Sequence, residues 1–313
     1  MHKYLRTIGF SKYKRKRELA NLVKNLIAEA KESKLIQLDN ETNRCEIRRE
    51  LINGIGIAFV GEVEGTEEFS LEYYYPYVES KQITSYVPCS IQRHAEKEAF
   101  SGLMEDYNIG VSLIFYISNS MEYIARLIAK KNKNTYDFEH FNDTKNYKLP
   151  TVSSVMLTGL SVEGKIILPV KKTKQQAESA KVTLNNRSIL IESAKNGDEE
   201  AIESLTIDDM DTYDLISRRL ITEDVYSIVE SSFIPCGVEC DQYAILGEIL
   251  KLHEVTNPIT EEIICIMSIC CNNLIFDVAI NQKDLIGEPA VGRRFKGKVW
   301  LQGIVNFEND KVI

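Results

Sequence analysis

Cysteine side chains offer the widest choice of chemistry in this sequence. A zinc ion could be held by a set of thiols and one imidazole: Cys236, Cys240, His253, Cys265, Cys270 and Cys271. Structural zinc sites use tight knuckles at a turn, whereas Cys265 and Cys270 alternate with isoleucines in a predicted strand. Adjacent Cys270 and Cys271 would also point to opposite faces of that strand. The pattern favours buried, reduced thiols over a zinc site, with a reactive thiol as the third alternative.

A group of aspartates forms a second candidate site. The residues are Asp208, Asp209, Asp211 and Asp214. Their carboxylates could hold a divalent metal ion. They also stand in the first turns of a predicted helix, where the helix dipole favours negative charge, and Asp214 precedes Arg218 by four residues. The spacing therefore favours helix stabilisation, and we predict no metal and no cofactor.

A third candidate site lies on one predicted strand near the C-terminus. Alternation would place Phe295, Gly297, Val299 and Leu301 on one face and Arg294, Lys296, Lys298 and Trp300 on the other, exposed face. Cations that follow phosphates, together with a ring that stacks on a base, are typical of surfaces that bind single-stranded nucleic acid. Residues 239–313 hold seven Lys or Arg against eleven Asp or Glu. This acidic balance favours a solvated strand, or a protein contact, over nucleic acid.

A run of basic residues near the N-terminus is the fourth candidate. It consists of Lys12, Lys14, Arg15, Lys16 and Arg17. The run falls in the first turns of a helix predicted over Ser11 to Ala30, where positive charge opposes the helix dipole. It is either a solvated first turn, with the helix starting nearer Lys16, or a docking patch for an acidic partner.

Composition limits the classes of function. The net charge is −8, and residues 1–34 carry ten Lys or Arg against three Glu, so the rest of the chain carries −15. Most of this surface would repel a polyanion. The sequence contains no G-x-S-x-G, Walker loop or H-E-x-x-H motif. The first residues contain no apolar run typical of a signal peptide, and seven scattered cysteines suit a reducing compartment, so we predict a cytoplasmic protein without a membrane partner.

Local patterns predict the elements that must position these residues. Hairpins are predicted at Asn53-Gly54, Glu64-Gly65 and Glu163-Gly164, because these dipeptides separate strand-like runs. Further strands are expected through Ile91–His94, Ala99–Met104 and Ile109–Ile117, and a helix around Met121–Lys130. Asn196-Gly197 is predicted to end one helix and Asp198 to start the next.

These elements predict an α+β fold in three parts. Residues 1–171 would form an N-terminal helix with a mainly antiparallel sheet, and residues 172–222 a helical connector. Residues 223–313 would form a small β-barrel of the oligonucleotide-binding (OB) type, with an open sheet packed on helices as the alternative.

The chain resembles an uncharacterised bacterial domain-of-unknown-function family. The resemblance lies in MHKYLRTIGF, in AKNGDEEAIESLTIDDMDTYDLISRR, in IVESSFIPCGVECDQYAILGEIL and in LIFDVAINQKDLIGEPAVGRRFKGKVWLQG. It covers nearly the whole chain. The resemblance implies a soluble bacterial protein and carries over no activity, cofactor or catalytic residue.

Together these patterns favour a non-enzymatic protein that binds a macromolecular partner, a protein in the first instance. Binding of single-stranded nucleic acid through the C-terminal barrel is the alternative, with Arg294, Lys296, Lys298 and Trp300 as the binding residues. An enzyme that depends on a metal or a thiol is the third hypothesis.

Overall fold

The protein is of the mixed α+β class, with strands predominating, as the sequence predicted. A computed structural model describes residues 3–30, 32–37, 42–64, 69–93, 99–106, 111–131, 149–170, 189–190, 193–194, 197–207, 210, 225–237 and 240–308. The strands are β1 (Glu32–Gln37), β2 (Thr42–Ile52), β3 (Ile55–Glu64), β4 (Ser70–Val78), β5 (Cys89–Arg93), β6 (Phe100–Asp106), β7 (Val111–Ile117), β8 (Val152–Ile167), β9 (Ser232–Pro235), β10 (Gln242–Thr256), β11 (Ile263–Cys271), β12 (Leu274–Asn281), β13 (Leu285–Ile286) and β14 (Arg294–Phe307).

Two longer helices and three short helical segments accompany the strands. The helices are α1 (Lys16–Ala28) and α2 (Ser120–Lys131). The short segments are two 3₁₀ helices, Lys3–Ile8 and Gln282–Asp284, and one α-helical turn, Val225–Ile228. Among the residues that the structure describes, no helix combines the length and the apolar character that a membrane crossing requires.

The first sheet is an antiparallel meander in the order β1-β2-β3-β4. Asn53 and Gly54, with φ of 46° and 77°, form the turn between β2 and β3, which confirms the hairpin predicted there. Strands β3 and β4 pair antiparallel as predicted, although residues 65–68 of their connection lie outside the described residues.

The second sheet has ten strands, and five of them form a ring. Strand β8 pairs parallel with β12, and antiparallel pairings then join β12 to β11, β11 to β10, β10 to β14 and β14 back to β8. Strands β7, β6 and β5 extend the sheet beyond β14, while β9 pairs with β10 and β13 with β8. Strands from before and after residues 172–222 therefore share one hydrogen-bonded sheet.

The hairpin predicted at Glu163-Gly164 is wrong, because β8 runs unbroken through both residues. Gly164 is paired with Gly297 of β14 and with Leu285 of β13. A Cβ atom at Gly164 would lie 2.4 Å from the Phe295 ring, so this glycine admits a neighbouring aromatic ring instead of making a turn.

Alternation along the ring strands divides the buried side chains into two clusters. The first cluster packs with α2 and includes Phe276, Phe295, Val299, Leu301 and Tyr123. The second packs the N-terminal segment and the first sheet against the outer side of the ring, and includes Tyr4, Leu26, Phe59, Tyr75 and Trp300. The predicted inward face of β14 is confirmed, since Phe295, Val299 and Leu301 are fully buried.

Helix α1 is shorter than the predicted Ser11–Ala30 and begins at Lys16. Its buried residues lie at helical spacing and match the predicted apolar face: Leu19, Leu22, Val23 and Leu26. Arg15 occupies the N-cap position in an extended conformation, and its side chain makes no capping hydrogen bond.

Only part of the predicted helical connector is described. Residues 199–207 are helical, and Asp198 caps them by accepting the backbone N–H of Glu200 at 3.1 Å and that of Ala201 at 3.2 Å. Gly197 has φ of 88° and donates its N–H to Ala194 O, as expected of a residue that ends a helix. The candidate aspartates Asp208, Asp209, Asp211 and Asp214 lie outside the described residues.

Candidate functional site

Arg294 does not lie on an exposed face of β14, so this part of the prediction is wrong. Its side chain is buried, and its guanidinium donates to three backbone carbonyl oxygens: Leu168 O at 2.8 and 3.0 Å, Val229 O at 2.7 Å and Tyr226 O at 2.6 Å. Burial lowers the pKa of Arg294. The residue joins the end of β8 to the helical turn Val225–Ile228 and offers no surface to a phosphate.

Trp300 is also buried, contrary to the prediction. Its ring stacks on Tyr4 at a centroid distance of 5.2 Å and lies 5.4 Å from the Tyr116 ring, and its Nε1 donates to Asp241 Oδ2 at 2.6 Å. Lys296 is exposed, but its ammonium lies over the Tyr226 ring and donates to the Tyr226 hydroxyl. Lys298 is exposed as predicted. The structure therefore does not present the four predicted residues as one surface.

All five cations of the predicted basic run are exposed, and we call Lys12–Arg17 the basic segment. Its five cations are Lys12, Lys14, Arg15, Lys16 and Arg17. Arg15 lies 3.5 Å from Glu18, and no described carboxylate is within ion-pairing distance of Lys14, Lys16 or Arg17. Since the helix dipole disfavours cations at this end by about 0.3–1 kcal/mol each, the arrangement is not one that stabilises the helix.

The basic segment is held in place by a buried carboxylate. Glu262, on the loop between β10 and β11, accepts the Ser11 hydroxyl at 2.7 Å and the Ser11 backbone N–H at 3.2 Å. It also accepts Asn281 Nδ2 at 2.6 Å and Lys283 Nζ at 3.0 Å. One side chain therefore ties the residue just before the basic segment to the end of β12.

The same loop holds the preceding residues through side-chain amide and hydroxyl groups. Asn257 donates from Nδ2 to Ile8 O at 2.7 Å, and the Thr260 hydroxyl donates to Gly9 O at 2.6 Å. A Cβ atom at Gly9, whose φ is 93°, would lie 2.8 Å from Asn257 Cβ, so only glycine fits between this loop and the chain. The basic segment is consequently preorganised.

Glu262→Gln should make stability less dependent on pH in the acid range. Burial alone would raise the pKa of Glu262, but hydrogen bonds from Ser11, Lys283 and Asn281 outweigh it and the pKa is lowered from its ordinary value of 4.5. A lowered pKa in the folded state contributes stability that is full above 4.5 and is lost as the pH falls through the folded value. The variant should lose about 2 kcal/mol of unfolding free energy near neutral pH.

Urea unfolding of both proteins between neutral and acid pH measures this difference. The wild-type and Glu262→Gln curves should converge below pH 4.5. The neighbouring, exposed Glu261 provides the control, since Glu261→Gln should stay within about 0.5 kcal/mol of the wild type. A constant gap between the wild type and Glu262→Gln at every pH would contradict the assignment.

The thiols that could have been zinc ligands lie on separate elements. Cys265, Cys270 and Cys271 lie in β11, as predicted, while Cys236 and Cys240 lie in the loop before β10. Burial and the nearby Glu254 raise the pKa of Cys265 to about 11, and burial raises that of Cys271 to about 12. Within the described ranges, no three side chains of His, Cys, Asp or Glu come together in a way that could hold a metal ion.

Sequence reasoning missed the residues that hold the basic segment. Glu262 and Asn257 belong to no sequence motif. In a sequence, a loop glutamate that becomes buried cannot be distinguished from one that stays exposed to solvent. The only local signal is Asn257-Pro258, which indicates a turn. Here the Asn257 side chain accepts the backbone N–H groups of Ile259 and Thr260, which fixes the turn that presents Thr260 and Glu262.

The two sheets define a mixed α+β protein whose N-terminal segment docks on a ring of five strands. Residues 5–303 match the model of a family described as "Domain of unknown function, E. rectale Gene description (DUF3881)". The chain therefore belongs to the DUF3881 family, which confirms the resemblance to a domain-of-unknown-function family. No curated protein and no solved structure matches the chain.

Proposed function

We propose that this protein binds a macromolecular partner, a protein with an acidic surface, through the basic segment. One observation carries the proposal: five exposed cations lie within the six residues that follow Ser11, which a buried carboxylate fixes in place. Cations at the N-terminal end of a helix oppose its dipole. A stabilising effect on the helix therefore does not explain why these residues are basic.

The charge distribution of the whole chain supports an acidic partner. Residues outside 1–34 carry a net charge of −15. An acidic partner would be repelled by that surface and attracted by the basic segment, which orients the encounter and limits it to one region. Because the segment is already ordered, binding does not have to supply the free energy of ordering the backbone.

We also propose a cellular compartment for the protein and a more specific fold for its second sheet. All seven cysteines are free thiols, which supports a reducing, cytoplasmic location. The five-strand ring of β8, β12, β11, β10 and β14 supports a small closed barrel of the OB type, and we propose that assignment for it.

Binding of single-stranded nucleic acid is the second candidate, since OB barrels commonly serve it. The ring favours this candidate, but two of its four predicted contacts are engaged elsewhere. Trp300 stacks on Tyr4, and Arg294 is occupied by carbonyl oxygens. Lys296 and Lys298 remain exposed on β14, and the Tyr226 ring beside Lys296 is already covered by the Lys296 ammonium group.

Reversing three charges of the basic segment should abolish capture of the partner. The variant Lys14→Glu, Lys16→Glu, Arg17→Glu replaces exposed side chains only and leaves the Ser11–Glu262 contact intact. Affinity should fall at least about tenfold, because attraction is replaced by repulsion. The measurement is affinity capture from native lysate, with and without nuclease, followed by titration of the purified partner at two salt concentrations.

A variant of equal charge provides the control. Lys34→Glu, Lys81→Glu, Lys251→Glu changes three exposed lysines outside the basic segment. It should capture the partner as the wild type does. Equal loss in both variants would show that net charge alone matters, and equal retention would overturn the proposal. Capture that nuclease abolishes would favour the nucleic-acid candidate instead.

A further inference from the structure

The loop that holds the basic segment also leaves an isoleucine exposed. This loop, residues 257–262, joins β10 to β11. Its three buried residues hold residues 8, 9 and 11 of the N-terminal segment through side-chain hydrogen bonds, and its exposed residues are Pro258, Ile259 and Glu261. Ile259, which is 41 % exposed, is therefore a large apolar side chain that the loop leaves partly in solvent.

The backbone that carries Ile259 is fixed on both sides. Its N–H donates to Asn257 Oδ1 at 2.8 Å, the Glu261 N–H donates to Asn257 O at 2.9 Å, and the Asn257 N–H donates to Glu262 O at 2.9 Å. Glu261 has φ of 61°, in the left-handed region that a residue with a Cβ atom adopts at a cost. Because these hydrogen bonds hold the turn in that conformation, packing against Ile259 requires little ordering of the loop.

The exposed isoleucine and the basic segment belong to one part of the surface. Lys12 Nζ donates to Thr260 O at 3.3 Å, so the first cation of the segment lies against the residue that follows Ile259. Ser11, the residue before Lys12, is bonded to Glu262 on the other side of the same turn. Apolar side chains surrounded by charged ones are typical of protein–protein contacts, in which the apolar centre is desolvated and the charged rim stays wet. The surface therefore offers a partner both kinds of contact.

We propose that the acidic partner presents a short segment in which carboxylates flank one large apolar side chain, and that this side chain packs against Ile259. The carboxylates would meet the basic segment, and in that respect the inference rests on the proposed function. They provide attraction at a distance, whereas the apolar contact selects among acidic surfaces that would satisfy the cations equally well. The exposed Glu261 repels a carboxylate placed next to Ile259, which favours an uncharged side chain at that position.

Two peptides of equal charge test the apolar contact. Each carries two glutamates on either side of a central residue, which is leucine in one peptide and serine in the other, and both carry the same dye for fluorescence anisotropy. The full chain at low salt should bind the leucine peptide at least about fivefold more tightly, because only leucine has apolar surface to bury against Ile259. Higher salt should weaken binding of both peptides and leave this ratio unchanged, because screening acts on charges.

Three variants assign the effect to its residues. In Ile259→Ser the ratio should fall below about twofold, while the affinity for the serine peptide stays that of the wild type. Ile286→Ser, which replaces an isoleucine of β13 that is 63 % exposed, is the matched control and should keep the full preference for leucine. In the charge-reversed variant Lys14→Glu, Lys16→Glu, Arg17→Glu, both peptides should bind at least about tenfold more weakly.

The outcomes separate this inference from the proposed function. Equal affinity of the wild type for the two peptides, with loss of both in the charge-reversed variant, would overturn the apolar contact and leave the acidic partner in place. A preference for leucine that Ile259→Ser retains, or that Ile286→Ser loses, would overturn the assignment to Ile259. Failure of both peptides to bind the wild type, or binding that the charge-reversed variant retains, would overturn the proposed function and the inference with it.

Discussion

Replacing Glu46 by glutamine is expected to lower the unfolding free energy by about 3–5 kcal/mol. The carboxylate is buried, with 1 % of the side chain exposed, and it lies 2.8 Å from Arg48 Nε. Its other oxygen accepts the Tyr75 hydroxyl at 3.2 Å. Removing the negative charge leaves the nearly buried Arg48 guanidinium without its buried carboxylate, and the remaining ion pair, with the partly exposed Glu79, compensates a buried charge less well.

The surrounding contacts explain why Arg48 cannot move to water when Glu46 is neutralised. Its guanidinium also donates to Ser118 O, pairs with Glu79 at 3.0 Å and lies 4.9 Å from the Tyr77 ring centroid. These contacts join β2 of the first sheet to the end of β7 in the second. The substitution therefore weakens the contact between the two sheets.

Urea unfolding measures the loss, with an exposed ion pair as the control. Glu29 lies 3.3 Å from Arg49 with both side chains partly or largely exposed, so Glu29→Gln should cost less than about 1 kcal/mol. The double variant Glu46→Leu, Arg48→Met should cost less than Glu46→Gln, because it leaves no unpaired charge. Similar losses for Glu46→Gln and Glu29→Gln would contradict the structural assignment.

Local patterns predicted the elements well where neighbouring residues determine the outcome. The turn at Asn53 and Gly54 depends on two residues that tolerate positive φ, and both have it. The apolar face of α1 and the inward face of β14 follow from periods of 3.6 and 2. These signals need no knowledge of the rest of the chain.

The same patterns fail where the partner of a strand is distant in sequence. Alternation shows that β14 has two faces but not whether the polar face is covered. Arg294 lies on that face and is buried because its acceptors come from residues 126 and 65 positions away. Glu46 on β2 is buried in a similar way, with the Tyr75 hydroxyl of β4 as a donor to its carboxylate.

The candidate site was predictable in part. The basic run stands out in composition, because five of the six residues from Lys12 to Arg17 are cations. What fixes it is not local: Glu262 lies 251 positions from Ser11, and no spacing rule connects them.

Trp300→Ala is expected to cost about 3–5 kcal/mol of unfolding free energy, the range for removing a buried tryptophan. The ring is 6 % exposed and lies between Tyr4 and Tyr116, so the substitution leaves space that neither neighbour can fill without moving. It also removes the donor to Asp241. Circular dichroism during urea unfolding measures the loss, because the variant has no tryptophan emission.

The size of this loss separates two roles for Trp300. An exposed indole that serves to stack on a nucleic-acid base contributes little to folding. Its removal would lower the unfolding free energy by less than about 1 kcal/mol. Lys298→Ala, two positions earlier on the same strand, removes an exposed side chain and should stay within about 0.5 kcal/mol of the wild type. A small loss in both variants would support the predicted stacking surface. A large loss for Trp300→Ala alone would show that the indole belongs to the contact between the N-terminal segment and the five-strand ring.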